Sequence, residues 1–206
     1  GERGRVDYNA TILYDEGEIQ EIYRKVHLVP FTEYFPYRGI LTGIYHWLKN
    51  ADTHFWKEGD EYTVFEAAGV KFSTPICFED TFGYISRNFV RNGADLIVNL
   101  TNDSWSFSVA AEMQHMAMSV MRAVENRRSV VRSTNGGITC TIDANGKIRT
   151  TLEPFIEGYL VDEVPVYTED DTLYTRWGEW FGLLMLFGGL GLLVLGAVLR
   201  LTKRNN

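Results

Sequence analysis

Cys77 lies in Ser73-Thr74-Pro75-Ile76-Cys77-Phe78-Glu79-Asp80, at the predicted junction of a strand and a helix, and a thiol placed there is suited to nucleophilic chemistry. A turn at that point projects the sulfur out of the sheet, and a helix N-terminus favours the thiolate through its partial positive charge. Glu79, two residues on, opposes thiolate formation, so the pattern asks for a cationic partner. Lys25 is the candidate: it follows a strand and precedes His27-Leu28-Val29-Pro30, an apolar stretch that holds it near the interior. An ammonium in that position can stabilise an oxyanion. Glu33, in Pro30-Phe31-Thr32-Glu33-Tyr34, is an acid among apolar residues, either a pKa-shifted acid or base or a surface charge on a loop. The plainer alternatives are an inert core thiol at Cys77 and a solvated lysine at position 25, because free cysteines are often buried and most lysines exposed.

His27, His46, His54 and His115 show no metal-ligand spacing, since no pair stands at i, i+4 on a helix with a third ligand nearby. Any one of them could form a dyad with Cys77, and the sequence selects none. Gly136-Gly137 reads as a turn between strands rather than a nucleotide loop, so neither metal nor other cofactor is expected. Nothing in the spacing of Cys77 and Cys140 favours a bridge, and two cysteines make no disulfide framework. The formal net charge of -7, with no Lys/Arg stripe before the last few residues, argues against a nucleic-acid partner. A hydrophobic fraction of 45% excludes a disordered chain, and 206 residues suffice for one domain with a core plus an appended segment.

The elements that must position these residues alternate between strands and helices. Residues 6–14 and 18–23 read as a hairpin around Asp15-Glu16-Gly17. From 31 to 60 the periodicity is lost among Tyr, Phe, Trp, Gly and Pro, which predicts a long, partly ordered loop of functional kind. Strands follow over 62–67 and 70–76, then a helix from 80 to 91 closed by Asn92-Gly93. The run 96–100 (LIVNL) predicts a strand buried on both faces. A helix over 110–128 places Met113, Ala117, Val120, Met121 and Val124 on one face, where they are expected to pack. Arg122, Glu125 and Asn126 on that helix are read as structural ion-pair partners. Strands over 130–133, 138–142 and 147–151 complete the pattern, the last two joined by Asp143-Ala144-Asn145-Gly146. Together these predict an α/β class with a mixed sheet.

Residues 180–199 contain no charge and are dominated by Leu, Gly, Val and Phe. About 20 apolar residues is the length that crosses the hydrocarbon core as a helix. Trp177 and Trp180 stand at its start, and Arg200, Lys203 and Arg204 just beyond its end. The positive-inside rule then puts the C-terminus in the cytoplasm and the α/β domain on the opposite side, in a bacterium the periplasm.

Four segments, taken in order, resemble the nitrilase superfamily, whose sites use Glu, Lys and Cys. They are Tyr23-Arg24-Lys25-Val26-His27-Leu28-Val29-Pro30-Phe31, Ile76-Cys77-Phe78-Glu79, Asn99-Leu100-Thr101-Asn102-Asp103-Ser104-Trp105 and Arg122-Ala123-Val124-Glu125-Asn126-Arg127-Arg128. Within the superfamily, the HLVPF-x-EY string at 27–34 and the terminal apolar helix resemble the apolipoprotein N-acyltransferases. That resemblance implies an α-β-β-α sandwich, N-terminally incomplete here, over residues 1–175, a transmembrane helix over 178–200 and a cytoplasmic basic tail over 201–206. It implies that Cys77 takes an acyl chain from a membrane phospholipid as a thioester, which the amine of a diacylglyceryl-modified apolipoprotein then accepts. Lys25 and the Phe78 N–H would stabilise the oxyanion. Glu33 and Glu79 match further acidic positions of the site, and Tyr34 and Trp105 would border the acyl-chain entrance.

Two departures follow. The family's general base is a Glu on an early strand, which Glu2, Glu16, Glu18 and Glu21 do not match, so the chain is expected to be a fragment that is inactive alone. Ser106-Phe107 stands where the family carries Phe-Gly. An acyl group passed to water or ammonia would instead make a membrane-tethered amidase, and a protein without the base would be a non-catalytic scaffold.

Overall fold

The computed structural model describes residues 6–37, 39–44, 55–168 and 171–205. Strands β1 (Ala10–Asp15) and β2 (Glu18–Arg24) form an antiparallel hairpin, turned by Glu16 and Gly17, both at positive φ. Its first strand starts four residues later than predicted. The pairing ends at Ala10 and Arg24 because the chain then turns through Lys25, whose N–H goes to the carbonyl of Asn9.

The main sheet has six strands in sequence order: β3 (Val64–Ala67), β4 (Val70–Ser73), β5 (Leu96–Asn102), β6 (Ser129–Asn135), β7 (Thr139–Ile142) and β8 (Ile148–Leu152). β4, β5 and β6 run parallel and the outer pairs antiparallel, so the sheet is mixed, as expected. Parallel neighbours need long crossovers. Helices α1 (Gly83–Arg91) and α2 (Val109–Asn126) supply them, meeting β5 in a cluster of Val90, Ile97, Ala123, Val130 and Ile142. A second cluster joins the hairpin to α1 through Tyr23, Phe65, Ile85 and Phe89. In β5 only Ile97, Asn99 and Thr101 are buried. Leu96, Val98 and Leu100 are half-buried, so the expectation of two sealed faces is corrected: one face is buried, and the other is part-exposed, with Leu100 on the wall of an open cleft.

The helix predicted over 80–91 is divided. Cys77–Thr81 forms a 3-10 turn, Phe82 is extended, and α1 starts at Gly83. A Cβ on Gly83 would meet the Tyr174 hydroxyl, so the glycine lets that side chain lie against the start of α1. In α2, Ser108 caps the start by accepting from the Ala111 N–H, and Arg127 ends the helix in the left-handed region at φ 53°. Its predicted packing face is overturned. Met113, Met121 and Val124 are exposed and Ala117 faces out with them, whereas Glu112, His115, Ser119, Arg122 and Asn126 are buried beside Ala123. Of the predicted face, Val120 packs partly on the core, as does Met116.

Helix α3 (Leu173–Trp177) leads through Gly178 into α4 (Trp180–Asn205). Arg87 of α1 closes the end of α3, donating from Nε to the carbonyls of Tyr174 and Thr175 (3.0 and 2.9 Å) and from Nη2 to that of Arg176 (2.9 Å). Helix α4 is long and apolar enough to cross a membrane, and none of its apolar window is covered by protein.

Candidate active site

Cys77 opens the 3-10 turn with φ at 54°. A side chain in the left-handed region costs about 1–2 kcal/mol and persists only where its surroundings enforce it. Asn99, buried on β5, donates to the carbonyls of Pro75 (3.2 Å) and Cys77 (3.1 Å), and Ile76 bridges to Leu100. The expected α-helix N-terminus behind the thiol is thus a five-residue 3-10 turn, too short to carry much of a macrodipole. Cys77 is half-buried and free. Cys140 is free and buried, and burial pushes its thiol up to about 11.

Glu79 ties this turn to the Lys25 segment. Its buried carboxylate accepts from the N–H groups of Ile76 (2.8 Å), Val26 (2.8 Å) and His27 (2.9 Å), and from the Tyr23 hydroxyl (2.9 Å). Burial raises its pKa, and these donors oppose the rise. Burial and the adjacent carboxylate also raise that of Tyr23. With its acceptor sites occupied, Glu79 fixes two backbone segments rather than facing the cleft.

Lys25 is wholly buried and donates to both oxygens of Glu33 (2.9 and 2.8 Å). Glu33 also accepts from the Val29 N–H (2.7 Å) and from Asn9 Nδ2 (3.2 Å). The predicted acid and the predicted cation therefore form one buried ion pair.

An open cleft of about 1270 Å³ brings Glu33, Cys77, Phe78 and Trp105 together, with Thr11, Val29, Trp56, Leu100 and Thr134 among its other walls. Trp105 is 66% exposed, free to contact a ligand. Lys25 and Tyr34 are not in the lining; Tyr34 is half-buried and bridges to Pro30. Glu16, Glu18 and Glu21 are exposed on the hairpin, away from the cleft, and Glu2 lies outside the described residues. So do His46, His54 and the whole segment between them. His27 contacts the Tyr84 hydroxyl (2.7 Å), not Cys77. Among the described residues, no group of His, Cys, Asp or Glu is placed to hold a metal.

Sequence reasoning missed a buried network beneath the thiol turn. His115 of α2 contacts Asp80 through Nε2 (2.8 Å) and Asp103 through Nδ1 (2.9 Å), and its ring stacks on Phe78 at 4.8 Å. Arg132 of β6 and Ser119 close on the other oxygen of Asp80. Burial alone would push His115 down, but hydrogen bonds to Asp103 and Asp80 hold it up to about 9. Arg122 donates to the Thr81 carbonyl (2.7 Å) and pairs with Glu125 (2.7 Å), the structural role expected of it. The signal for this network was present. Glu112, His115, Ser119, Arg122 and Asn126 repeat at helical spacing as clearly as the methionines do.

A thiol on a rigid turn, opening into a cleft with a carboxylate–ammonium pair at its side, suits covalent acyl chemistry. The Carbon-nitrogen hydrolase family profile matches residues 2–171. Apolipoprotein N-acyltransferase 1 of Treponema pallidum is 46% identical over 199 residues, covering 94% of this chain and 36% of that protein. The protein of the same name from Treponema denticola is 49% identical over 186 residues, covering 87% and 34%. The chain thus spans about a third of the length of these relatives. A solved structure from Saccharomyces cerevisiae, a member of branch 10 of the nitrilase superfamily, superposes with a TM-score of 0.52 at 21% identity, covering 71% of this chain and 49% of that one. That likeness shows the fold.

Proposed function

Because the chain belongs to the carbon-nitrogen hydrolase family, we propose that its thiol serves apolipoprotein N-acylation, taking a fatty acyl chain from a membrane phospholipid and passing it to a lipoprotein amine. The observation that carries this reading is Cys77 at left-handed φ on the wall of a cleft of about 1270 Å³, in a chain that ends in an uncovered apolar helix. A soluble amide needs neither the room nor the helix.

In this scheme the Cys77 thiolate attacks the acyl ester carbon, and the oxyanion is met by the Phe78 N–H and by Lys25. Two of the three ammonium protons of Lys25 go to Glu33, which leaves one for the oxyanion. Collapse expels the lysophospholipid oxygen, which takes up a proton, and leaves a thioester. The α-amine of the diacylglyceryl-modified cysteine then attacks that thioester, loses a proton and releases the thiolate. Glu33 holds Lys25, Glu79 holds the turn, and Trp105 and Tyr34 border the acyl-chain entrance. Among the described residues of the cleft lining, the one glutamate is already paired with Lys25, so the general base is not assigned to a described residue. Helix α4 anchors the domain in a bacterial inner membrane, with the domain periplasmic and Arg200, Lys203 and Arg204 on the cytoplasmic side. A reporter fused after Asn206 that is active only in the periplasm would refute that orientation.

The deciding experiment supplies phospholipid and a diacylated lipopeptide to the intact protein in membranes. N-acylated peptide and an acyl thioester on Cys77, both abolished by Cys77→Ser, are expected. Turnover of small amides without N-acylation would replace this reading with an amidase.

A further inference from the structure

We propose that His115, as an imidazolium, is a positioning residue that ties the Cys77 turn to the Trp105 loop and, together with Arg132, sets the separation of two walls of the cleft. Both of its nitrogens meet carboxylate oxygens, Asp80 at 2.8 Å and Asp103 at 2.9 Å. A neutral imidazole can donate from only one nitrogen, so with both carboxyl groups ionised the two contacts require both nitrogens protonated. Asp80 lies three residues after Cys77 within the same 3-10 turn. Asp103 lies two residues before Trp105; its N–H donates to the Asn135 carbonyl (2.9 Å), and its carbonyl accepts from the Ser106 N–H (3.1 Å). The two segments follow the neighbouring strands β4 and β5, whose pairing reaches the Ile76–Leu100 bridge, and beyond that bridge His115 joins them from α2.

The surroundings favour the charged form. Asp80 comes from the turn, Asp103 from the loop after β5, Glu112 from α2 itself, Arg132 from β6 and Cys140 from β7. Only Arg132 carries positive charge, and it is already bound to Asp80 and set 3.5 Å from Asp103. The imidazole ring also stacks beneath Phe78, whose N–H is an oxyanion donor in the scheme above, so its position bears on the reacting atoms as well as on the walls.

This inference rests on the acyl-transfer reading for its rate assay, but its pH arm does not. In the intact protein in membranes, His115→Gln can satisfy one carboxylate but not both. It is expected to lower kcat by about 10- to 100-fold, the loss typical of misplaced reacting groups, with KM little changed. Asp103→Asn supplies an amide that donates to a neutral imidazole nitrogen, so the bridge survives without the second proton. That variant is expected to stay close to the wild-type rate at pH 7. Its alkaline loss of activity should move upward by at least about one pH unit. The same alkaline break is read from the rate of Cys77 alkylation by iodoacetamide, which needs no acyl acceptor; Cys140, buried, stays silent. Wild type that alkylates with this break but transfers no acyl group would sink the acyl-transfer reading alone. An Asp103→Asn variant with the wild-type break, or a folded His115→Gln variant with wild-type kcat, would overturn the bridge. If His115→Gln does not fold, Asp103→Asn decides.

Discussion

Replacing Glu79 with Gln tests whether this carboxylate works as an ionised tie between the Lys25 segment and the Cys77 turn. Oε1 accepts from the Val26 and His27 N–H groups, and Oε2 from the Ile76 N–H, with the Tyr23 hydroxyl shared between them. An amide nitrogen must occupy one of these places. The cheaper choice faces Ile76, leaves one buried N–H without an acceptor, and reduces two charge-assisted bonds to neutral ones. An orphaned buried donor costs roughly 1–3 kcal/mol, and each weakened bond about 0.5–1 kcal/mol. No longer burying a charge offsets part of this. The net loss is about 2 kcal/mol, a fall in Tm of about 4–8 °C at this chain length. Thermal unfolding of the intact protein in detergent, followed by tryptophan fluorescence, reads it directly. Acyl transfer should fall in parallel, because Ile76 immediately precedes the thiol. If burial had instead left Glu79 protonated in the fold, Gln would be nearly isosteric, so a Tm within about 2 °C of wild type would refute the ionised tie.

The fold should lose stability toward alkaline pH. The pKa of His115 is about 9 in the fold against an unfolded value near 6.5, so its contribution is fully present below pH 6.5 and lost as pH rises through 9. The difference is worth about 3 kcal/mol, measurable by denaturant titration at pH 6.5 and 9.5, and His115→Gln should flatten it. Arg87→Ala should release the end of α3 at a cost of about 1–2 kcal/mol, because three hydrogen bonds to carbonyls go with it. Faster proteolysis around residues 172–178 with unchanged Cys77 alkylation is the expected outcome, and slower alkylation would show that the joint reaches the site.

The strand pairs were legible because each turn carries a glycine that takes positive φ: Gly17, Gly69 and Gly146. The α/β class and the apolar C-terminal helix followed from periodicity and length. Cys77, Phe78, Trp105 and Glu33 converge on one cleft, and Lys25 joins them only through Glu33. The break at Phe82 was not legible. It depends on Glu79, Asp80 and Thr81 being held from β2, α2 and β6, all distant in sequence. Local propensity carries no record of such tertiary ties.

Helix α2 shows why the hydrophobic stripe was the wrong guide. Its two faces are equally periodic, one of Met, Ala and Val, the other of Glu, His, Ser, Arg and Asn, and the assumption that apolar residues face inward selected the first. Burying the second is stable because its polar side chains meet partners: His115 two carboxylates, Arg122 a carbonyl and Glu125, Ser119 Asp80. Groups so buried are costly singly and tolerable as a connected set. A packed apolar face would have filled the same space without holding a turn at positive φ. The polar face can do so because hydrogen bonds are directional where apolar contacts are not. The rule of polar residues outside therefore fails in this helix where the fold must fix the position of a single thiol, and that local failure is itself a pointer to the site.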